Sequence, residues 1–289
     1  MNSLKLNVAL GLIVSTTTLV AVTFAQQISP DGKQGAMGKD VTQEILALQS
    51  VDTTSRLAAI CSLRQRKQAS QAIYPLVQLI GDETPVGTCG KNGAPDDEPM
   101  PPASVVAPSS SIGKEAAKTL ASIGKPAVEP VIVATRDGNA KVRTNSVWAL
   151  GEIRATYAKG QEPRTIALLA RLQDESVEVR RAATWALAEI KDTQSVQSLI
   201  ISLDDQDTNV RKNAAWALGE MKSASAVQSL IAKLRDPQWE VRQNSAWALG
   251  EIKNRSAIEP LTATLQDERE EVRNASATAL REMKSQTRY

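Results

Sequence analysis

The clearest pattern in the chain is an apolar stripe at helical spacing that returns along the second half of the sequence. Counting from Val210, apolar residues fall at positions 0, +4, +7, +8 and +11, which is one face of an α-helix. The copies are marked by Leu150, Leu187, Leu218 and Leu249, which lie 37, 31 and 31 residues apart, and by Leu280 in an altered copy 31 residues later. A fixed period in this range indicates a repeat architecture, in which each unit buries its apolar face against its neighbour.

Two further signals recur with the stripe. A second, shorter apolar helix follows each regular copy, as at residues 226–234, and an aspartate opens the copy five residues before a Val-Arg pair. The aspartates are Asp137, Asp174, Asp205, Asp236 and Asp267, and the arginines are Arg143, Arg180, Arg211, Arg242 and Arg273. We therefore expect helical-hairpin repeats at 137–173, 174–204, 205–235 and 236–266, followed by a C-terminal capping helix and tail at 267–289. The first of these carries six extra residues around 155–163, which predicts a longer turn.

The N-terminal half shows the same periodicity more weakly. Residues 41–80 indicate a degenerate N-terminal capping repeat, and residues 111–136 indicate a further repeat. Residues 81–110 lie between them and are rich in glycine, proline and acidic residues, which predicts a long insertion loop.

The first residues are typical of an export signal. Lys5 precedes a mostly apolar stretch that ends in the small residue Ala25, so residues 1–25 are predicted to be a cleaved signal peptide. An uncleaved membrane anchor is the alternative, because residues 6–25 are long enough to span a bilayer. Residues 26–40 are rich in Gly, Gln and Lys and are predicted to be a flexible linker. We expect a periplasmic or secreted protein, or one anchored in the membrane by its N-terminus.

Export changes the interpretation of the two cysteines. Cys61 lies in a predicted helix and Cys89 in the insertion. In an oxidising compartment the pair is predicted to form a disulfide that fixes the insertion to the capping repeat. The alternative is a buried, reduced Cys61 and an exposed Cys89.

The repeat signature resembles that of a known family. The aspartate, the Val-Arg pair, the Ala-Leu-Gly segment and the second helix Ala257-Ile258-Glu259-Pro260-Leu261 are similar to the HEAT-repeat family, in particular to the short HEAT-like repeats of phycobilisome (bilin) lyases. The resemblance implies an all-α fold, a right-handed α-solenoid of HEAT-like helical hairpins. It also implies that the Asp and Arg rows form ladders between neighbouring repeats, which is a structural role.

A row of tryptophans stands apart from the core stripe. Tryptophan occupies position +6 of the first helix, roughly 145° from the centre of the stripe, and a glutamate follows one turn later. We call this surface the Trp/Glu face; its residues are Trp148, Trp185, Trp216, Trp247, Glu152, Glu189, Glu220 and Glu251. An asparagine precedes the tryptophan by three residues in three copies: Asn145, Asn213 and Asn244.

Two interpretations of the tryptophans are compatible with the pattern. Each ring either packs against the next repeat or contributes to a binding groove, and both can hold together. The related armadillo repeats place an asparagine four residues after a tryptophan and use the pair to hold an extended peptide. Here the residue at that place is glutamate, which favours a partner that carries cationic groups. The alternative for the glutamates is ordinary i,i+4 support on a solvated helix face.

Composition narrows the function classes. The chain has no histidine and a net charge of only +2, so we predict no catalytic residues, no metal, no cofactor and no nucleic-acid partner. The favoured hypothesis is a non-enzymatic protein-binding scaffold of the cell envelope. The alternative, for which the family resemblance is the sole support, is a bilin-lyase-like enzyme or chaperone acting on a tetrapyrrole-carrying protein. A sensory or assembly module that uses the insertion as a second contact site, and a glycan in place of a peptide, also remain open.

Overall fold

The computed structural model describes residues 41–66, 69–89, 110–153 and 162–285, which fall in one compact unit. The predicted signal peptide, linker, most of the insertion, the extra turn residues 154–161 and the final residues 286–289 lie outside the described residues. Within the described part, no helix has the length and apolar character needed to cross a bilayer.

The described chain is built almost entirely from helices. In chain order they are α1 (Thr42–Ala47), α2 (Thr53–Arg64), α3 (Ile73–Leu79), α4 (Ile112–Ile123), α5 (Val128–Ala134), α6 (Ala140–Glu152), α7 (Pro163–Arg171), α8 (Val177–Ile190), α9 (Val196–Ser202), α10 (Thr208–Glu220), α11 (Val227–Lys233), α12 (Trp239–Ile252), α13 (Ile258–Ala263) and α14 (Glu270–Ser285). Short 3-10 turns lead into five of the second helices, at Ser70–Ala72, Lys125–Ala127, Thr193–Ser195, Ala224–Ala226 and Arg255–Ala257, and another, Thr264–Gln266, follows α13.

The helices form two layers. Each even-numbered helix from α2 to α12 packs against the next even-numbered helix, and each second helix from α3 onward packs against the first helix of the following repeat. Val210, Ala214, Ala217 and Leu218 of the predicted stripe are fully buried in this arrangement. The predicted all-α solenoid of helical hairpins is confirmed, because each apolar face is covered by a neighbouring repeat.

Polar residues define where the first helices begin. The side chains of Asp52, Ser111, Asn139 and Asp207 accept hydrogen bonds from backbone N–H groups in the first turn of α2, α4, α6 and α10. These N–H groups have no partner within the helix, so the caps fix the residue at which each helix begins.

The Asp and Arg rows form the predicted ladder. Arg211 donates from Nε and Nη2 to the two carboxylate oxygens of Asp236 in the next repeat, at 2.9 and 3.0 Å, and from Nη1 to the carbonyl of Asp205 in its own repeat, at 2.9 Å. The same two-pronged pairs join Arg143 to Asp174, Arg180 to Asp205, and Arg242 to Asp267. Each arginine therefore sets the spacing of two repeats at once, which confirms the structural role of these rows.

The two ends of the insertion are joined by a short β-ribbon and a disulfide. Pro85–Val86 (β1) pairs antiparallel with Ser110–Ser111 (β2), a ribbon that the sequence pattern did not predict. The predicted disulfide between Cys61 and Cys89 is present, with its Cα atoms 5.2 Å apart. The two ends of the insertion are thereby held together between α3 and α4.

A buried carboxylate stabilises the β1–β2 ribbon at the base of the insertion. Glu115 is fully buried, accepts a hydrogen bond from the Ser110 hydroxyl at 2.6 Å and pairs with Arg64 at 2.6 Å. Burial acts to raise the pKa of Glu115, but the hydrogen bond from Ser110 and the charge of Arg64 outweigh it, so the pKa is lowered overall. Glu115 therefore stays charged and links β2 to α2.

Candidate binding face

The four tryptophans of the Trp/Glu face lie half-buried on α6, α8, α10 and α12, where they contact the core. The rings of Trp148 and Trp185 stack across two repeats, with centroids 6.2 Å apart and planes at 7°. Stacked aromatic pairs at this separation contribute to packing beyond the area they bury.

Glycine provides the space for two of the rings. A Cβ atom added at Gly151 would lie 2.8 Å from Cζ3 of Trp185, and one added at Gly219 would lie 2.6 Å from Cζ3 of Trp247. In the intervening copy the place is taken by Ala188. The rings therefore widen the contact between repeats, as the packing interpretation predicts. The binding interpretation depends on the surface that the half-buried rings leave exposed.

That surface opens into a groove at the C-terminal end of the row. The groove has a volume of about 610 Å³ and lies along α10, α12 and α14. We call it the C-terminal groove; its lining residues are Trp216, Gln243, Asn244, Trp247, Gly250, Glu251, Glu271, Asn274, Ala275, Thr278, Ala279 and Glu282. It opens where the altered last copy has Thr278 in place of a tryptophan, so that no ring covers Gly250.

The lining of the C-terminal groove is acidic and aromatic. It holds the carboxylates of Glu251, Glu271 and Glu282 beside two indole rings, and none of its lining residues is a lysine or arginine. A cation is attracted both to carboxylates and to the face of an indole ring. In the part of the chain that the structure describes, no cluster of three or more Cys, Asp or Glu side chains is arranged to hold a metal ion.

The glutamates are paired across repeats. Nζ of Lys191 donates to Glu220 of the next repeat at 2.6 Å, and Nζ of Lys222 lies 3.6 Å from Glu251 of the next repeat. The side chains of Glu220 and Glu251 remain 29% and 28% exposed, so they are still accessible to a partner. Glu152 and Glu189 are half-buried at the equivalent places.

The pairing lysines were missed by sequence reasoning. Lys191, Lys222 and Lys253 have φ angles of 55°, 50° and 59°, the left-handed conformation in which a helix commonly ends at glycine. The sequence does contain a signal that could have identified these lysines: a lysine recurs at a 31-residue interval just after each of these helices. This backbone turn places Lys191 and Lys222 within reach of the glutamates of the following repeats.

The three asparagines do not form a common row. Asn145 is buried and donates to the carbonyl of Ile80 at 2.7 Å. Asn244 lines the C-terminal groove and donates to the carbonyl of Glu240 in its own helix at 2.9 Å. Asn213 is half-buried. The structure brings Asn244 to the candidate site, whereas Asn145 is part of the packing between repeats.

Trp239 lies away from this row. It begins α12, and the guanidinium of Arg269 in the next repeat lies 4.6 Å from the centre of its ring. This cation–π contact gives Trp239 a packing role, which makes it a useful reference for the other tryptophans.

The comparisons with known proteins agree on the fold. The family model described as HEAT repeats matches residues 165–235 and 227–288. No curated protein matches the sequence. The solved structure of YibA from Escherichia coli is 15% identical over 97% of this chain and 99% of that chain, with a TM-score of 0.52. An engineered protein is 22% identical over 84% of this chain and 68% of its own, with a TM-score of 0.51.

A third similar structure is much longer than this chain. It is the complex of Kap95p with RanGDP, which is 16% identical over 84% of this chain but 36% of that chain, with a TM-score of 0.52. At identities this low the likeness shows the fold alone. The chain is therefore an α-solenoid of stacked helical hairpins, and its residues 165–288 match the model of HEAT repeats.

Proposed function

We propose that this protein is a non-enzymatic scaffold that holds a partner polypeptide along its Trp/Glu face. A solenoid of HEAT repeats is consistent with protein binding, because its stacked helices present one continuous surface. The observation that carries the proposal is the C-terminal groove, about 610 Å³ in volume and lined by Trp216 and Trp247. This volume is in the range of established ligand sites, and half-buried tryptophans bind at low entropic cost because the protein already holds them rigid.

The repeat spacing suits an extended chain. Neighbouring first helices lie on the order of 10 Å apart, and an extended polypeptide rises about 3.3 Å per residue. A partner would therefore place about one side chain in three against each repeat. The carboxylates of Glu251, Glu271 and Glu282 favour lysine or arginine at those places.

We further propose that the protein works in the cell envelope. The predicted signal peptide at residues 1–25 and the disulfide between Cys61 and Cys89 both support an oxidising compartment. The test is thiol alkylation of the chain in intact cells, before lysis. Resistance of both cysteines to alkylation, together with mass-spectrometric detection of a chain that begins after Ala25, is the expected result. Reduced cysteines in a chain retaining Met1 would contradict it.

The bilin-lyase-like alternative stays a prediction. The family match covers HEAT repeats in general, without distinguishing the lyase-type subclass.

The experiment that tests the scaffold uses site-specific photo-crosslinking in cells that express the full chain. The photoreactive residue p-benzoylphenylalanine is placed at Thr278, which is exposed and lines the C-terminal groove, and separately at Val133, which is 69% exposed on the layer of second helices. We expect a defined polypeptide segment to be crosslinked from Thr278, to be absent from Val133, and to be lost when Trp216 and Trp247 are replaced by alanine. Equal crosslinking from both positions would contradict the proposal.

A further inference from the structure

Two repeats of the Trp/Glu face carry a cation of their own. The residue two places after the repeat valine, one turn before the tryptophan, is Arg181 in one copy and Lys212 in the next. Arg181 donates to both carboxylate oxygens of Asp207, at the start of the next first helix, at 2.8 and 2.6 Å. The cation therefore bridges neighbouring first helices on the side of the tryptophans.

Lys212 holds the equivalent position in the next copy and is more deeply buried, but its hydrogen bond stays within its own helix. It is 8% exposed and donates to the side-chain oxygen of Asn209 at 3.1 Å. Burial lowers the pKa of Lys212, and the negative charge of Glu240 in the next first helix opposes that shift. In the first step the acid of the following helix is Asp207, which Arg181 contacts directly, and in the second it is Glu240, whose charge acts on Lys212.

The third step has an acid at the position of Glu240 but no cation at the position of Arg181 and Lys212. Gln243 stands where Arg181 and Lys212 stand in the earlier copies, while Glu271 stands where Glu240 does, one residue before the repeat valine. Gln243 and Glu271 both line the C-terminal groove. The groove therefore includes the position that a cationic residue holds in the two preceding steps.

We infer that the C-terminal groove takes one lysine or arginine side chain of the partner polypeptide, in the place that Arg181 and Lys212 occupy in the preceding repeats. The inference rests on the proposed scaffold function and assigns the residue class that one subsite selects. The aliphatic stem of the guest packs on Trp247, and its charged head lies among Glu251, Glu271 and Glu282.

The contacts that Glu251 and Glu271 already make are weak competitors for the guest. Arg269 lies 3.2 Å from Glu271, but both side chains are more than 40% exposed, at 44% and 43%. Lys222 is 64% exposed and 3.6 Å from Glu251. Exposed ion pairs contribute little, so a guest that enters the groove displaces them readily.

The test is a ¹⁹F NMR titration of the full chain labelled with 5-fluorotryptophan, with each signal assigned by single Trp→Phe variants. The probe is arginine blocked at both ends, N-acetylarginine N-methylamide, and the control is the same derivative of citrulline, which has nearly the same shape and no charge. We expect saturable shifts of the Trp247 and Trp216 signals with the arginine probe, binding at least about tenfold weaker with the citrulline probe, and no shift of Trp148, which lies outside the groove.

A matched pair of variants locates the binding. Gln243→Lys restores the internal cation and should weaken binding of the arginine probe at least about tenfold. Gln228→Lys makes the same change at an exposed position on α11, outside the groove, and should change binding less than about twofold. If Gln243→Lys lowers the melting temperature, Glu271→Gln replaces it, with the same expectation of weaker binding.

Three results would overturn the inference: no saturable shift of Trp247, equal binding of the two probes, or equal effects of the two lysine variants. If the arginine probe fails while Thr278 still crosslinks a defined segment, this subsite is wrong and the scaffold stands. If the probe binds and Thr278 gives no specific crosslink, the groove accepts a cation but the scaffold is wrong.

Discussion

The indole ring of Trp247 lies directly over Gly219 of the preceding repeat. A Cβ atom at Gly219 would lie 2.6 Å from Cζ3 of Trp247 and 2.8 Å from both the Cα and the Cβ of Ala248. The glycine in the repeated Ala-Leu-Gly segment is thus required by the helix of the next repeat. A tryptophan and the glycine one repeat earlier form a single packing unit between two helices.

Gly219→Ala should therefore destabilise the protein even though alanine is the better helix former. The added methyl group meets backbone as well as the ring, and overpacking of this kind costs about 1–3 kcal/mol, more than the roughly 1 kcal/mol gained in helix propensity. Urea denaturation measures the free energy of unfolding. Gly138→Ala is the control, since its Cβ would meet nothing within 4 Å; equal effects at both glycines would contradict the packing unit.

The ladder between repeats predicts a pH-dependent contribution to stability. Hydrogen bonds from Arg242 hold the pKa of Asp267 below its usual range, and both side chains are about nine-tenths buried, at 9% and 10% exposed. Asp267→Asn should lower the free energy of unfolding by roughly 2–4 kcal/mol at pH 7, because it leaves the guanidinium uncompensated. Glu268→Gln is the control: Glu268 contacts the same arginine at 3.3 Å but is 80% exposed, so we expect less than about 1 kcal/mol.

The sign of the pH effect follows from the lowered pKa. A carboxylate whose pKa is lower in the folded state stabilises the fold fully above its unfolded value of about 3.9. That stability is lost as the pH falls through the folded value. The difference between the wild-type protein and Asp267→Asn should therefore be constant from pH 7 to about pH 5 and shrink below about pH 4. A difference that persists at the lowest pH where the protein folds would show that the ion pair is not its source.

The left-handed lysines store backbone strain. Lys222 has a φ of 50°, its side chain is 64% exposed, and its distance to Glu251 is 3.6 Å. Lys222→Gly should raise the free energy of unfolding by about 1 kcal/mol, because glycine adopts this conformation without steric cost. Lys222→Ala removes the same ion pair but keeps the strain, so it should be no more stable than the wild-type protein. If the alanine variant gains as much as the glycine variant, the lysine side chain is the cause.

Most of the fold could be predicted from the sequence, because the same core and ladder residues recur in each repeat. The buried stripe of Val210, Ala214 and Leu218 and the Asp–Arg ladder follow from periodicity and from the family resemblance. Contacts that depend on how far one helix is shifted along its neighbour could not be predicted from the sequence. Periodicity places Trp247 on the outer side of α12, but only the three-dimensional offset brings its ring over Gly219.

The same limit explains what was missed at the candidate site. The sequence shows that Thr278 replaces the tryptophan in the last copy, but only the structure shows that the C-terminal groove opens there. The pairing of Lys191 with Glu220 required a left-handed turn that lysine seldom adopts, so residue type gave no indication of it. The β1–β2 ribbon consists of two residues in each strand, too short to produce an alternating pattern.

The disulfide should stabilise the N-terminal end of the solenoid. Cys61 and Cys89 are 28 residues apart in sequence, and closing a loop of this size contributes about 3.5 kcal/mol. A reductant should lower the melting temperature of the wild-type protein and leave that of the Cys61→Ser/Cys89→Ser variant unchanged. Hydrogen exchange at β1 and β2 should become faster in both cases. Unchanged exchange in the ribbon would show that the disulfide does not hold the base of the insertion.

The most direct test of the scaffold is the affinity of the polypeptide segment crosslinked from Thr278, measured by isothermal titration calorimetry. The proteins compared are the wild-type chain, a variant with Trp216→Ala and Trp247→Ala, and Trp239→Ala as the control outside the groove. Each is first shown by circular dichroism to be folded at the temperature used. The account predicts that the double variant binds at least about 30-fold more weakly while Trp239→Ala stays within about threefold of wild type. A folded double variant that binds as tightly as the wild-type chain would contradict it.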